Sequence, residues 1–162
     1  MTTTASVTNL YLLNTRLFDN VTGDVTDAEA ARRIGEQVNS FAWIAGHALW
    51  VQYSLAGLLG LADDNPYAEH FGTGAAFDPS ADAPSLSRMR ADFDALAPRI
   101  LAALEALTPD RLDAAAPFPL PVRDQSLRGL LDFQMHHLAY HTGQLGLYRR
   151  FLGKAAMSYA PR

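Results

Sequence analysis

Between residues 85 and 107 apolar side chains return every third or fourth position, at Leu86, Met89, Phe93, Leu96, Ile100, Leu104 and Leu107, which dictates a helix with one buried face. A stripe of that length cannot be satisfied alone and must pack against other elements. Three further segments carry the same period. Residues 6–21 align Leu10, Leu13, Leu17 and Val21, with Ser6 or Thr8 available as N-cap. Residues 35–61 turn Phe41, Ile44, Ala48, Val51, Leu55 and Leu58 inward. Residues 125–152 bury Leu127, Leu130, Leu131, Gln134, Leu138, Leu145, Tyr148 and Leu152 and stop at Gly153. Four long amphipathic helices, with no strand ladder and no internal repeat, predict an all-α four-helix bundle. A chain of 162 residues is expected to form it as one domain, 1–162.

The connections are uneven. Residues 22–27 read as a turn, with a short helical stretch starting at Asp27 or Glu29. Residues 62–84 lose all periodicity and fill with Asp, Asn, Pro and Gly. This connection of about 20 residues between the second and third long helices exceeds the usual helix–helix loop, which marks a functional loop or a long crossover. Pro98 predicts a kink near Asp94, residues 108–112 a single capped turn, and residues 117–121 an extended stretch forced by three prolines.

Composition removes whole classes of chemistry. The chain has no cysteine, which excludes disulfides, iron–sulfur clusters, thiolate metal ligands and a cysteine nucleophile. A net charge of −4 with scattered arginines lacks the clustered basic footprint of a nucleic-acid surface; Arg149 and Arg150 form the one basic pair in the four predicted long helices. No run of 18 apolar residues exists to span a bilayer, and residues 1–8 show no basic region ahead of an apolar stretch, so a secretory leader is not supported and a cytoplasmic location is expected.

Three histidines stand out against the apolar faces. His137 and His141 are four residues apart, so a helix stacks both imidazoles on one side, and His47 lies on the inward stripe of the second long helix. Two imidazoles at that spacing grip one cation, and a third from another helix completes a neutral triad with an open position, the composition of a catalytic zinc-type site. Taken alone, His47 reads first as a core histidine bonded to a neighbouring carbonyl or side chain. Gly46, Gly143 and Gly146 beside the histidines would let backbones approach closely. His136 points about 100° away from His137 and belongs to the surface, an interface or the support of a ligand. His70 and Glu69 lie in the long loop, which could fold over the site. Gln144 either orients a ligand or water or bridges helices, Tyr140 and Trp43 pack, and Arg149 and Arg150 suit a solvated helix C-terminus. A phosphate loop, a nucleophile elbow and a His-Glu-x-x-His base are all missing from the sequence.

Trp43-Ile44-Ala45-Gly46-His47, His137-Leu138-Ala139-Tyr140-His141-Thr142-Gly143-Gln144-Leu145 and the following Tyr148-Arg149-Arg150-Phe151-Leu152-Gly153 resemble the DinB-like, or YfiT-like, family of damage-inducible metal-binding four-helix bundles. The resemblance covers nearly the whole chain, and the His-x-x-x-His-x-Gly-Gln element is its most specific part. It implies an up-down-down-up bundle and a divalent ion, zinc or nickel, on His47, His137 and His141. It also implies a homodimer and, by likeness to members of known activity, a metal-dependent S-transferase or isomerase acting with a low-molecular-weight thiol such as mycothiol, bacillithiol or glutathione. Catalytic and thiol-binding residues are left open by the motif. The same composition also admits a metal-dependent hydrolase, a metal-binding stress-response protein without turnover, and a bundle whose histidines are purely structural.

Overall fold

The computed structural model describes residues 4–61, 64–75, 77–78 and 82–160, and these hold seven helices and no strand. The helices are α1 (Ala5–Thr22), α2 (Asp27–Ala30), α3 (Phe41–Leu58), α4 (Ala68–Phe71), α5 (Leu86–Glu105), α6 (Pro109–Asp113) and α7 (Leu127–Phe151). Residues 1–3 of the segment read for a leader, and 62–63, 76 and 79–81 of the long connection, lie outside the described residues. Among the described residues no helix is long and apolar enough to cross a membrane.

α1, α3, α5 and α7 form the bundle, with α1 and α3 on one diagonal and α5 and α7 on the other. Two apolar clusters fill it. One joins Phe18 and Val21 late in α1, Phe41 to Leu49 early in α3, Leu86 to Ala97 early in α5, and Leu138 to Tyr148 late in α7. The other joins the opposite ends: Val7 and Tyr11, Leu55 and Ala56, Leu96 to Leu104, and Leu127 to Met135. α1 and α7 therefore run one way and α3 and α5 the other, the sense that an up-down-down-up order requires.

Side-chain caps place most helix starts. Thr26, Ser40, Ser85, Thr108 and Ser126 each accept a hydrogen bond from a backbone N–H of the first turn, and Thr26 with Glu29 forms a reciprocal capping box. Ser40 corrects the expected start of the second long helix from 35 to 41. Residues 31–38 are all exposed and offer no face to bury, while Tyr148 pins the segment by donating from Oη to the Asn39 carbonyl (2.8 Å) and accepting from the Ile34 N–H (3.1 Å). Neither Ser6 nor Thr8 caps α1. Thr4 takes that position without a side-chain bond, and the Thr8 hydroxyl donates back to the Thr4 and Ala5 carbonyls.

The stripe expected for α1 holds in part. Leu17 and Val21 are buried and Leu13 is half-buried, but Leu10 is 44% exposed, and Val7, Tyr11, Asn14 and Phe18 complete the buried face. Asn14 enters the core because its amide donates to the Met135 carbonyl at 3.0 Å. α5 follows its predicted stripe and continues through Pro98, which sits with Asp94 on the exposed side, where water can serve the carbonyl that proline leaves without a donor. Arg149 overturns the solvated helix end: it is 5% exposed and pairs with Asp24 while donating to the carbonyls of Val21 (3.0 Å) and Ala155 (3.2 Å). Arg150 stays outside.

Candidate metal centre

The antiparallel seam between α3 and α7 brings the three histidines together. The His47 ring lies 5.4 Å from that of His137 and 4.9 Å from that of His141, and the latter two are 4.4 Å apart, centroid to centroid. One ring nitrogen from each falls within 4.8 Å of the other two. His47 and His141 are buried, at 9% and 8% exposure, and His137 is half-buried.

Hydrogen bonds decide which nitrogens face the centre. His47 Nδ1–H donates to the Phe71 carbonyl at 2.6 Å, since a carbonyl can only accept, and its Nε2 keeps a lone pair. His141 Nδ1–H donates to Gln144 Oε1 at 2.8 Å, with the Gln144 amide turned that way by its bond to the Tyr140 hydroxyl at 3.2 Å. His141 Nε2 then meets His137 Nε2 at 3.2 Å. His137 Nδ1 is buried without a hydrogen-bond partner.

Burial, reinforced by the neighbouring His141 and His47, pushes the His137 pKa down to about 4; burial also lowers His141, against the bond from Gln144. Both rings are accordingly neutral at pH 7, the form a metal ligand needs. The donor set fits a zinc-type cation. Three imidazoles converge, one nitrogen of each within 4.8 Å of the others, and two of them are held through Nδ1 by acceptors of the kind that fix metal-binding histidines.

Aromatic rings enclose the cluster. His47 is sandwiched between Trp43, stacked at 5.2 Å and 6°, and Trp50 at 5.3 Å and 27°, while Phe133 lies 5.7 Å from His137 and Tyr140 lies 5.2 Å from His141. Trp43 thus packs as expected, whereas Tyr140 is exposed and supports Gln144. Trp43 and Phe71 also line a cleft of about 810 Å³, walled further by Glu69, His70, Phe77 and Asp82. None of the three histidines lines it.

The long loop does fold onto the site, with a different contact from the one expected. His70 and Glu69 line the cleft, and it is Phe71 that touches His47. A backbone carbonyl leaves no trace in a sequence, but Trp50, three residues after His47, was readable from helical spacing alone. His136 is exposed, as read. Of the three glycines, only Gly46 serves close approach: a Cβ there would meet the Phe71 ring at 2.6 Å, whereas Gly146 would make ordinary contact with Met157 and Gly143 none within 4 Å.

A sequence profile of the DinB superfamily matches residues 11–145, a span that contains all three histidines. A solved structure described as a conserved protein from Enterococcus faecalis superposes with a TM-score of 0.65 at 16% identity, covering 95% of this chain and 99% of that one, a likeness that speaks for the fold alone. No curated protein sequence matches the chain.

Proposed function

This chain belongs to the DinB superfamily, and from that premise we propose that it binds a divalent metal ion, zinc or nickel, on His47, His137 and His141 and works as a metal-dependent enzyme on a low-molecular-weight thiol, of the S-transferase or isomerase type. The observation that carries the reading is the convergence of three imidazoles, one nitrogen of each within 4.8 Å of the others, with His47 and His141 tied at Nδ1. Held by His47, His137 and His141, such an ion would supply Lewis acidity and would lower the pKa of a thiol at its open position. His47 and His141 are each bonded through Nδ1, which leaves Nε2 to serve a cation, and Trp43, Trp50 and Phe133 pack against the His47 and His137 rings. The neutral ligands leave the cation its full charge, and no cysteine in the chain competes for it. A small electrophile, and a second copy of the chain in a homodimer, complete the expected partners; the exposed Leu147 and Phe151 on α7 support the latter, and we place the protein in the cytoplasm.

One observation favours a second reading. His47 and His141 are buried and the large cleft does not reach them, which suits a metal-binding stress-response protein without turnover. Cobalt loading separates the two. Uptake of about one cobalt ion per chain, lost in His47→Ala and His141→Ala, is the expected result for either. Glutathione or bacillithiol added to the cobalt protein then produces a near-ultraviolet thiolate band if a thiol reaches the ion, and leaves the spectrum unchanged if the centre is sealed. A protein that takes up no cobalt, zinc or nickel defeats both readings and leaves the histidines structural.

A further inference from the structure

Resting on that metal reading, we propose that the α4 turn is a positioning clamp for His47: the Phe71 carbonyl fixes the imidazole in its metal-accepting tautomer, and the missing side chain at Gly46 is what allows the carbonyl to reach it. Three sets of contacts carry this. First, the carbonyl is 2.6 Å from Nδ1, and as a pure acceptor it requires the proton there, leaving the lone pair on Nε2 as the one His47 can offer to a cation shared with His137 and His141. Second, Gly46 precedes His47 directly and forms a notch for the Phe71 ring. A Cβ there would sit 2.6 to 2.7 Å from three ring atoms, distances that real side chains do not tolerate.

Third, the turn is anchored without help from the histidine. Asn65 Nδ2 donates to the Trp50 carbonyl (2.8 Å) and to Ser54 Oγ (3.1 Å), and its Oδ1 accepts from the Tyr67 N–H at 3.1 Å. The Tyr67 hydroxyl donates to Asp92 on α5 at 2.7 Å, and Tyr67 and Phe71 are both buried in the apolar cluster that also contains Ile44 and Met89. The position of the carbonyl is therefore set by α3 and α5, and the orientation of the imidazole follows from it. Displacing the carbonyl frees the ring to adopt the other tautomer, in which Nε2 carries a proton and presents no lone pair to a cation. Acceptors of this kind typically change metal affinity by about 10- to 100-fold when removed.

The test compares zinc affinity, by competition with a chromophoric chelator, in wild type, Gly46→Ala, Gly46→Ala/Phe71→Ala and Gly143→Ala, and reads the His47 tautomer of the metal-free proteins by long-range ¹⁵N NMR. Gly46→Ala is expected to weaken zinc binding by about 10- to 100-fold. The double variant, which keeps the carbonyl and removes the colliding ring, should recover most of the loss, and Gly143→Ala, where a Cβ meets nothing within 4 Å, should match wild type. Wild-type His47 should carry its proton on Nδ1. A Gly46→Ala protein that binds zinc as tightly as wild type overturns the clamp. So does a wild-type proton on Nε2, a measurement that needs no variant to fold. Zinc uptake by wild type reports separately on the metal reading, and the difference between variants reports on the clamp.

Discussion

His141 does two things with one ring: Nδ1–H is held by Gln144 at 2.8 Å while Nε2 meets His137 at 3.2 Å. Gln144 is therefore the side chain through which His141 is oriented, and Gln144→Leu should weaken zinc binding by about 10- to 100-fold in isothermal titration, whereas Gln144→Glu, which preserves the acceptor, should hold or improve it. Equal affinities in wild type and the leucine variant would return Gln144 to a simple helix-surface role. The ligands themselves are a more severe test. His141→Ala should abolish stoichiometric zinc, measured by elemental analysis after gel filtration, because a two-imidazole remnant does not retain a divalent ion against exchange. At this scale the sequence was informative wherever side-chain chemistry and helical spacing coincided: His137 and His141 share a face at a spacing of four, and His47 lies on an apolar stripe. It was silent on the Phe71 carbonyl, since every residue but proline offers the same backbone groups and only the tertiary path selects one. Arg149 misled for a related reason. Its position in the last turn of α7 suits a solvated cation, yet two carbonyls and Asp24 surround it once α1 packs alongside.

That arginine belongs to an element-scale device. It ties the end of α7 to the turn between α1 and α2, and Lys154 adds bonds to the Asp24 carbonyl (2.5 Å) on that turn and to the Glu29 carboxylate (3.1 Å) on α2. The Arg149 guanidinium also holds the Asp24 carboxyl below the usual carboxylate range. Asp24→Ala leaves a buried charge served only by carbonyls and should cost about 1 to 3 kcal/mol in urea unfolding, whereas Arg128→Ala, which breaks a far more exposed pair with Asp113, should fall within about 0.5 kcal/mol of wild type. Comparable losses in the two variants would mean that Arg149 is not a strut. Helix existence was legible because four long stripes of period 3.6 leave no other fold class, and the caps at Ser85 and Ser126 place two starts within a residue or two of the reading. Faces were harder. α1 carries Leu10, Leu12 and Leu13 as well as its true core residues, so its apolar residues encircle much of the helix, and the decisive inward residue, Asn14, is polar. Counting apolar positions cannot find a core asparagine whose partner is a carbonyl on another helix.

For the whole molecule, the histidine cluster is a seam that couples folding to protons and, on the proposed metal reading, to a cation. Burial holds His137 near pKa 4 in the fold, against about 6.5 for an unfolded histidine. Between those values the unfolded chain binds more protons than the native one, so stability rises with pH across the window. Acidifying the metal-free protein from about pH 6.5 toward about pH 4 should progressively remove this contribution, while above about pH 6.5 the same group makes no slope. His141, also depressed, acts in the same direction, and Asp24 adds a separate loss at lower pH, below the ordinary carboxylate range. The contribution should be visible in urea unfolding free energies of metal-free protein at about pH 7.5, 6 and 5, compared with His137→Phe, which keeps a ring in place without a titrating nitrogen. Wild type should lose more stability than the variant on acidification; parallel curves would remove His137 as the cause. Metal should act on the same seam from the other side. Free zinc at 100 times its dissociation constant should add about 2.7 kcal/mol, because an ion bridging α3 and α7 binds the fold and not the separated helices. Since protons and zinc compete for the same nitrogens, the zinc-bound protein should show the steeper pH dependence through the acid range, and His137→Phe should lose both the zinc increment and the added slope together. A zinc increment that survives His137→Phe undiminished would remove His137 from the ligands of the ion.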